Sequence, residues 1–265
     1  DSGAQDQIIA DLTATLEKVT KEPLREELRY QLASAHFKKA DHATAAGQFT
    51  ELLADYPESK FLASMHFQAG ESQLQLKEVA KAQTHFAAAA GIEGSPQALV
   101  ESITMRLAET QSLTGEHSEA AASYLAFLEK FPESRWTRNA RFGFAFATEN
   151  AGDPTAALAE YTTILDEPKT DLWTVRSRFQ TGSCQAKLKK LDQAVVEFVK
   201  VEISYPQYPQ WQAQAVLEIG RVLLAQKKPD QARERFQEVI TRFEKEDAAT
   251  AARELLASTA EDSTN

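Results

Sequence analysis

The sequence predicts an all-α protein, a right-handed α–α superhelix of about six helix-turn-helix units with flanking helices. Three observations carry this. Alanines stand at positions 45, 82, 120, 157, 194 and 232, separated by 37 or 38 residues each time. Four residues after each comes an aromatic: Phe49, Phe86, Tyr124, Tyr161, Phe198 and Phe236. Twelve residues before each comes a small residue: Ala33, Gly70, Ala108, Ala145, Gly182 and Gly220. A period this strict means that one supersecondary unit is stacked repeatedly, and register then predicts which side chains are interior.

Residues 1–25 are expected to hold a partial repeat or a capping helix, with Ile8, Ile9, Leu12, Leu16 and Val19 on one face of a helix over 6–19. The first unit then sets the pattern. Leu28, Leu32, Ala33 and His36 recur at helical spacing, Lys39-Ala40-Asp41-His42 makes a turn, and Ala45, Phe49, Leu52 and Leu53 mark a second amphipathic helix. Tyr56-Pro57-Glu58-Ser59 ends it, because proline lacks the amide proton and clashes with the preceding turn. The stop recurs at Phe131-Pro132-Glu133-Ser134 and at Tyr205-Pro206. Six units are placed at 26–59, 63–96, 101–134, 138–168, 175–206 and 213–244. Residues 247–265 read as a C-terminal capping helix, carrying Ala248, Ala251, Ala252, Leu255 and Leu256, and a polar tail from Ser258. No stretch sustains period-2 alternation, so no strand is expected. The small residue on the first helix lets the second cross closely, and the aromatic fills the space beside the anchor alanine.

Composition is ordinary for a folded chain of 265 residues, at 43% hydrophobic and 26% charged. Length alone permits one or two domains; the repeat argues for one elongated body. With 29 basic and 39 acidic side chains the net charge is −10, which disfavours nucleic acid and anionic lipid as partners. No apolar run reaches the roughly 18 residues that span a bilayer, so no direct membrane insertion is expected. The start, Asp1-Ser2-Gly3-Ala4, lacks Met and a hydrophobic leader and reads as a processed product or an excerpt of a longer chain. Cys184 is the single cysteine, which leaves no disulfide and no thiolate cage, and it reads as a buried structural thiol.

Small residue, twelve-residue gap, alanine, aromatic and terminal proline together resemble the tetratricopeptide repeat. Leu32-Ala33, Ala45, Phe49 and Pro57 carry the match, as do Leu107-Ala108, Gly115, Ala120, Tyr124 and Pro132, and then Ile219-Gly220, Ala232 and Phe236. The longer unit ending in Tyr-Pro or Phe-Pro and Glu-Ser is similar to repeats of bacterial cell-envelope proteins, such as the periplasmic Tol–Pal coordinator and the outer-membrane assembly lipoprotein. That resemblance implies a periplasmic or envelope-associated setting, with the cytoplasm as the alternative. It also implies that the first helices of successive units line a concave groove for a protein or peptide partner. The groove positions would then be Tyr30, Phe67, Met105, Phe142, Phe179 and Leu217, each three before a small residue, which otherwise serve as packing between repeats. Phe37 and Phe146 also fall on first helices and have no aromatic counterpart in other units. Arg29, Arg106, Arg138, Arg141, Arg176, Arg178 and Arg221 cluster on or near first helices, either to select an acidic segment or as an ion-paired solvated face. Some repeats of this family clamp a terminal carboxylate with Lys and Asn; Tyr30, Ser34 and Gln68 stand at those positions here, and Arg106 matches a basic one.

Catalytic chemistry has no foothold in the motifs. His36, His42, His66, His85 and His117 form no ligand set by spacing, and Glu109 and Glu149 lie in different units. There is no phosphate-binding glycine loop, nucleophile elbow or zinc motif, so no cofactor and no metal are expected. The expected function is a non-catalytic interaction scaffold that holds a partner segment along the groove through Tyr30, Phe37, Phe67, Arg106, Arg141, Phe142, Phe146, Arg178, Phe179 and Arg221. The alternatives are the recruiting arm of a larger enzyme, or a structural array that self-assembles; oligomeric state is left open.

Overall fold

The computed structural model describes residues 2–261. Fourteen helices and no strand occur among the described residues. The chain divides into two compact units, residues 1–132 and 133–265, where the sequence argues for a single body.

The first unit opens with α1 (Ser2–Leu16) and continues with three helix pairs: α2 (Glu22–Lys38) with α3 (His42–Asp55), α4 (Leu62–Gln75) with α5 (Val79–Ala90), and α6 (Gln97–Thr114) with α7 (His117–Lys130). Each helix packs on the next. α1 stops at Leu16, short of the expected Val19, in a tight turn whose carbonyls need donors. Arg25 supplies them, its Nη1 donating to the Val19 carbonyl at 3.0 Å and to that of Leu16 at 3.4 Å.

The second unit has three pairs and a closing helix: α8 (Thr137–Asn150) with α9 (Pro154–Asp166), α10 (Leu172–Lys187) with α11 (Leu191–Ser204), α12 (Pro209–Ala225) with α13 (Pro229–Arg242), then α14 (Asp247–Glu261). Consecutive helices again pack on one another, and α14 also touches α12. α14 runs on through Ser258, where the polar tail was expected, and residues 262–265 lie outside the described ones.

All six anchor alanines are fully buried, and their aromatic partners are at most 4% exposed. The twelve-residue gap has a direct steric meaning. A Cβ on Gly70 would stand 2.7 Å from Phe86 Cε1, and one on Gly182 would stand 2.8 Å from Phe198 Cε1. Gly220 meets Phe236 in the same way. At these three crossings the aromatic of the second helix therefore packs directly against the backbone of the first.

The turn inside every pair has one geometry. Ala40, Lys77, Gly115, Gly152, Lys189 and Lys227 all have φ between 59° and 102°. Each stands five residues before its anchor alanine. The amide after each reaches back to the preceding helix, as Asp41 N to His36 O at 3.0 Å and Glu116 N to Gln111 O at 2.9 Å. This is the Schellman arrangement, which satisfies the last carbonyls of a helix through one left-handed residue. Second helices end differently. Tyr56, Phe131 and Tyr205 have φ from −128° to −130° and ψ of 57–66°, outside the α region that a following proline disfavours.

Candidate functional site

In the first unit the first helices of the pairs line a groove of about 630 Å³ with α1. α2 contributes Tyr30, Ser34 and Phe37, α4 contributes Ser64, Phe67 and Gln68, and α6 contributes Leu99. α1 adds Gln5, Ile8 and Leu12. Helical spacing explains the set: Tyr30, Ser34 and Phe37 are separated by four and three residues and so share one face of α2.

The rings are held by their neighbours rather than left loose. Tyr30 stacks on Phe61 with centroids 4.5 Å apart and planes 5° from parallel, and it tilts against the anchor Phe49 at 6.3 Å. Phe67 meets its own anchor, Phe86, at 5.9 Å. Phe37 sits edge-on to His42 at 5.6 Å. Gln68 Nε2 donates to the Tyr30 hydroxyl at 2.9 Å, which joins two of the three carboxylate-clamp positions to each other. Ser34 Oγ and Gln5 Oε1 are buried with no hydrogen-bond partner. A buried polar atom without a partner is costly. Lys38 is the one charged side chain that lines this groove.

The other expected aromatics lie in the second unit. Phe142 stacks on Phe146 at 6.1 Å, and it also contacts Tyr161 at 5.7 Å and Trp173 at 5.3 Å. The Arg176 guanidinium lies 4.2 Å above the Phe142 ring. Phe179 meets its anchor Phe198 and Trp211, both at 5.3 Å. Phe142 is buried; Phe146 and Phe179 are half-buried. A second aromatic series, missed in the sequence reading, accounts for these contacts. Phe61, Trp136, Trp173 and Trp211 recur at multiples of the same period, with Leu99 filling the gap in the series. Three of the four rings pack on the residue three before the preceding unit's small position or on its equivalents: Phe61 on Tyr30, Trp173 on Phe142, Trp211 on Phe179.

Six of the seven candidate arginines are engaged by a carboxylate, while Arg176 lies over the Phe142 and Trp173 rings. Arg106 reaches Glu71 at 2.7 Å and Glu109 at 2.8 Å. Arg141 pairs with Glu160 at 3.2 Å, Arg178 with Glu197 at 2.8 Å, and Arg221 with Glu218 at 2.5 Å. Arg29 and Arg138 likewise hold Asp55 and Glu167. Burial raises the Glu71 carboxyl above its ordinary range, and Arg106 offsets only part of that.

Two further clusters join residues that the sequence left apart. Glu149, only 4% exposed, accepts from the Tyr161 hydroxyl at 2.9 Å and from Lys187 Nζ at 2.8 Å. Buried Cys184 is against the same carboxylate, and burial raises its thiol well above the usual range, so it is held as the inert thiol. In the α4–α5 pair, the Nδ1 atoms of His66 and His85 lie 3.1 Å apart. Burial lowers both imidazoles, and the neighbouring ring lowers His66 further. Register would have found this pair: His66 is four before Gly70 and His85 three after Ala82, the same places as Arg141 and Glu160 or Arg178 and Glu197. No group of three or more His, Cys, Asp or Glu side chains able to hold a metal occurs among the described residues, and no described helix is long and apolar enough to cross a membrane.

Paired helices with a small-residue crossing, a buried aromatic anchor and a left-handed turn residue in every repeat define a helical-repeat protein. Family profiles place it: the tetratricopeptide repeat matches at residues 27–59, 105–134 and 217–262. Those stretches are tetratricopeptide repeats. Among solved structures, a tetratricopeptide repeat protein from Parabacteroides merdae is similar over 97% of this chain and 93% of its own, at 16% identity and a TM-score of 0.58. The apo quorum sensor NprR from B. thuringiensis is similar over 95% of this chain and 74% of its own, at 17% identity and a TM-score of 0.66. YrrB, a repeat protein with an unusual peptide-binding site, is similar over 78% of this chain and 97% of its own, at 18% identity and a TM-score of 0.51. No curated protein matches the chain in sequence.

Proposed function

We propose that the chain is a non-catalytic scaffold whose first-unit groove holds an extended, largely uncharged peptide segment of a protein partner. The observation that carries this is the groove itself: half-buried rings of Tyr30, Phe37 and Phe67 beside amide and hydroxyl groups, two of them buried without partners. Rings supply contact area, while neutral donors and acceptors suit the amides of an extended backbone. Engagement of the candidate arginines by glutamates argues against a strongly acidic ligand, since a competing carboxylate would have to displace an existing pair. Structures of the same fold support a peptide ligand, among them NprR in complex with its cognate peptide NprX and a Rap protein complexed with Competence and Sporulation Factor. The repeat ends in Tyr-Pro-Glu-Ser and Phe-Pro-Glu-Ser make the bacterial cell envelope the compartment to test first, by fractionation of the native host.

The test is selection of short peptides from a random library on the intact chain, followed by measurement of Kd for the best of them. Phe37→Ala with Gln68→Ala should weaken that peptide at least tenfold with helix content unchanged. Selection that yields no peptide, or one that the double variant binds equally well, overturns the reading. Phe146→Ala with Arg141→Ala asks the same of the second unit.

A further inference from the structure

His66 and His85 occupy a register position whose other occupants explain what is unusual here. In the fourth and fifth units the same two positions carry Arg141 with Glu160 and Arg178 with Glu197, opposite charges that cross from first helix to second at 3.2 and 2.8 Å. The second repeat (63–96), in the first unit, carries imidazole at both positions, and the two Nδ1 atoms stand 3.1 Å apart with ring centroids at 5.4 Å. Two nitrogens bound at about 2.0–2.1 Å to one ion are separated by about 2.9 Å at a right angle and about 3.4 Å at the tetrahedral angle. The observed spacing falls between. Both rings are half-buried, so each keeps a solvent side from which water can complete a coordination shell.

We propose that His66 and His85 form a two-imidazole site for a divalent transition metal, taking Cu²⁺ ahead of Ni²⁺ and Zn²⁺ in the order such nitrogen sites follow. The ion takes the place of the proton the two rings now share. That proton moves to Nε2 of the same ring, so each histidine binds through Nδ1 as the neutral tautomer and no net proton is released. Water fills the remaining positions. The site lies on α4 beside Phe67, which lines the groove, yet it stands on its own geometry and does not depend on any peptide being bound.

The test uses the intact, tag-free chain titrated with CuCl₂ and with NiCl₂, followed by calorimetry and by the nitrogen hyperfine pattern of bound Cu²⁺. One ion per chain is expected, with Kd in the micromolar range and two equivalent nitrogens in the spectrum. His66→Ala and His85→Ala should each weaken binding at least tenfold, while His42→Ala and His117→Ala leave it unchanged. The double variant His66→Arg with His85→Glu restores the pair found in the fourth and fifth units, and it should fold normally and lose the ion. Absence of a stoichiometric ion, or binding that survives in the double variant, overturns the proposal.

Discussion

At the scale of single residues the decisive contact is a phenyl ring on a glycine. Phe198 is 1% exposed and presses on Gly182, so it has nowhere to retreat when a methyl group is added. Alanine gains roughly 1 kcal/mol over glycine inside a helix. Overpacking a rigid core costs about 1–3 kcal/mol, and here it wins, so Gly182→Ala is expected to lower stability in urea unfolding. Gly47→Ala on α3 is the opposite case: its position is exposed, a Cβ there meets nothing within 4 Å, and stability should rise by about 0.5–1 kcal/mol. Glu149 gives a second residue-scale expectation. Tyr161→Phe keeps the ring but removes the donor from a buried carboxylate oxygen, which should cost about 1–3 kcal/mol; calorimetric unfolding checks it, and an unchanged midpoint would mean that the hydroxyl carries no energy. The crossing glycines were legible in the chain because their partners lie at a fixed separation. The Glu149–Tyr161–Lys187 and His66–His85 contacts were not, since each depends on which faces two helices turn toward each other. That choice becomes readable only when side chains are compared at equal register across units.

At the scale of elements, two devices fix where helices stop and start. Four of the six Schellman turns place Ala40, Lys77, Lys189 and Lys227 in the left-handed region, which disfavours a Cβ by roughly 1–2 kcal/mol. Gly115→Ala should therefore lower stability by about 1 kcal/mol, while Lys189→Gly should not, relief of the turn offsetting the added freedom of the unfolded chain. Paired urea melts of the two variants check the difference in sign. α10 begins at a capping box: Asp171 accepts from Trp173 N at 3.0 Å and Thr174 N at 3.1 Å, and Arg138 reaches it at 3.2 Å. Burial pushes this carboxyl up, but the Thr174 amide and Arg138 outweigh it and hold it below its ordinary range. An acid lowered on folding stabilises the fold fully above its unfolded value near 3.9 and loses that contribution as pH falls through its folded value. The stability gap between the native chain and Asp171→Asn should thus be present at pH 6 and shrink by pH 3; a gap independent of pH would remove the carboxylate from the account. Helix stops at Tyr-Pro and Phe-Pro were legible because proline acts locally. The end of α1 was not, because Arg25, nine residues on from Leu16, supplies its cap.

At the scale of the whole molecule, stability in a repeat array is a sum of local terms and nearest-neighbour terms, so any stretch of pairs with a closed core is a candidate to fold alone. The period runs unbroken from Tyr124 to Tyr161 at 37 residues, and no composition shift marks the division after Pro132, which is why the sequence argued for one body. Each unit nonetheless owns its core. In the first, Ala33, Phe49, Leu52, Met65 and Ala69 pack together. In the second, one cluster gathers Phe142, Tyr161 and Cys184, and another joins Phe198, Phe236 and Val239 to Ala248, Ala249 and Ala252 of α14. Residues 1–132 and 133–265 made separately should each give a helical circular dichroism spectrum and a cooperative urea transition. The second should be the more stable, because α14 closes the apolar face of its last pair. Residues 133–246, which lack that helix, should lose several kcal/mol, since each buried apolar side chain that α14 covers contributes about 1.5–3 kcal/mol at most. A fragment 133–246 that unfolds at the same denaturant concentration as 133–265 would mean that the last repeat is stable uncovered, and that α14 is an appendage rather than a cap.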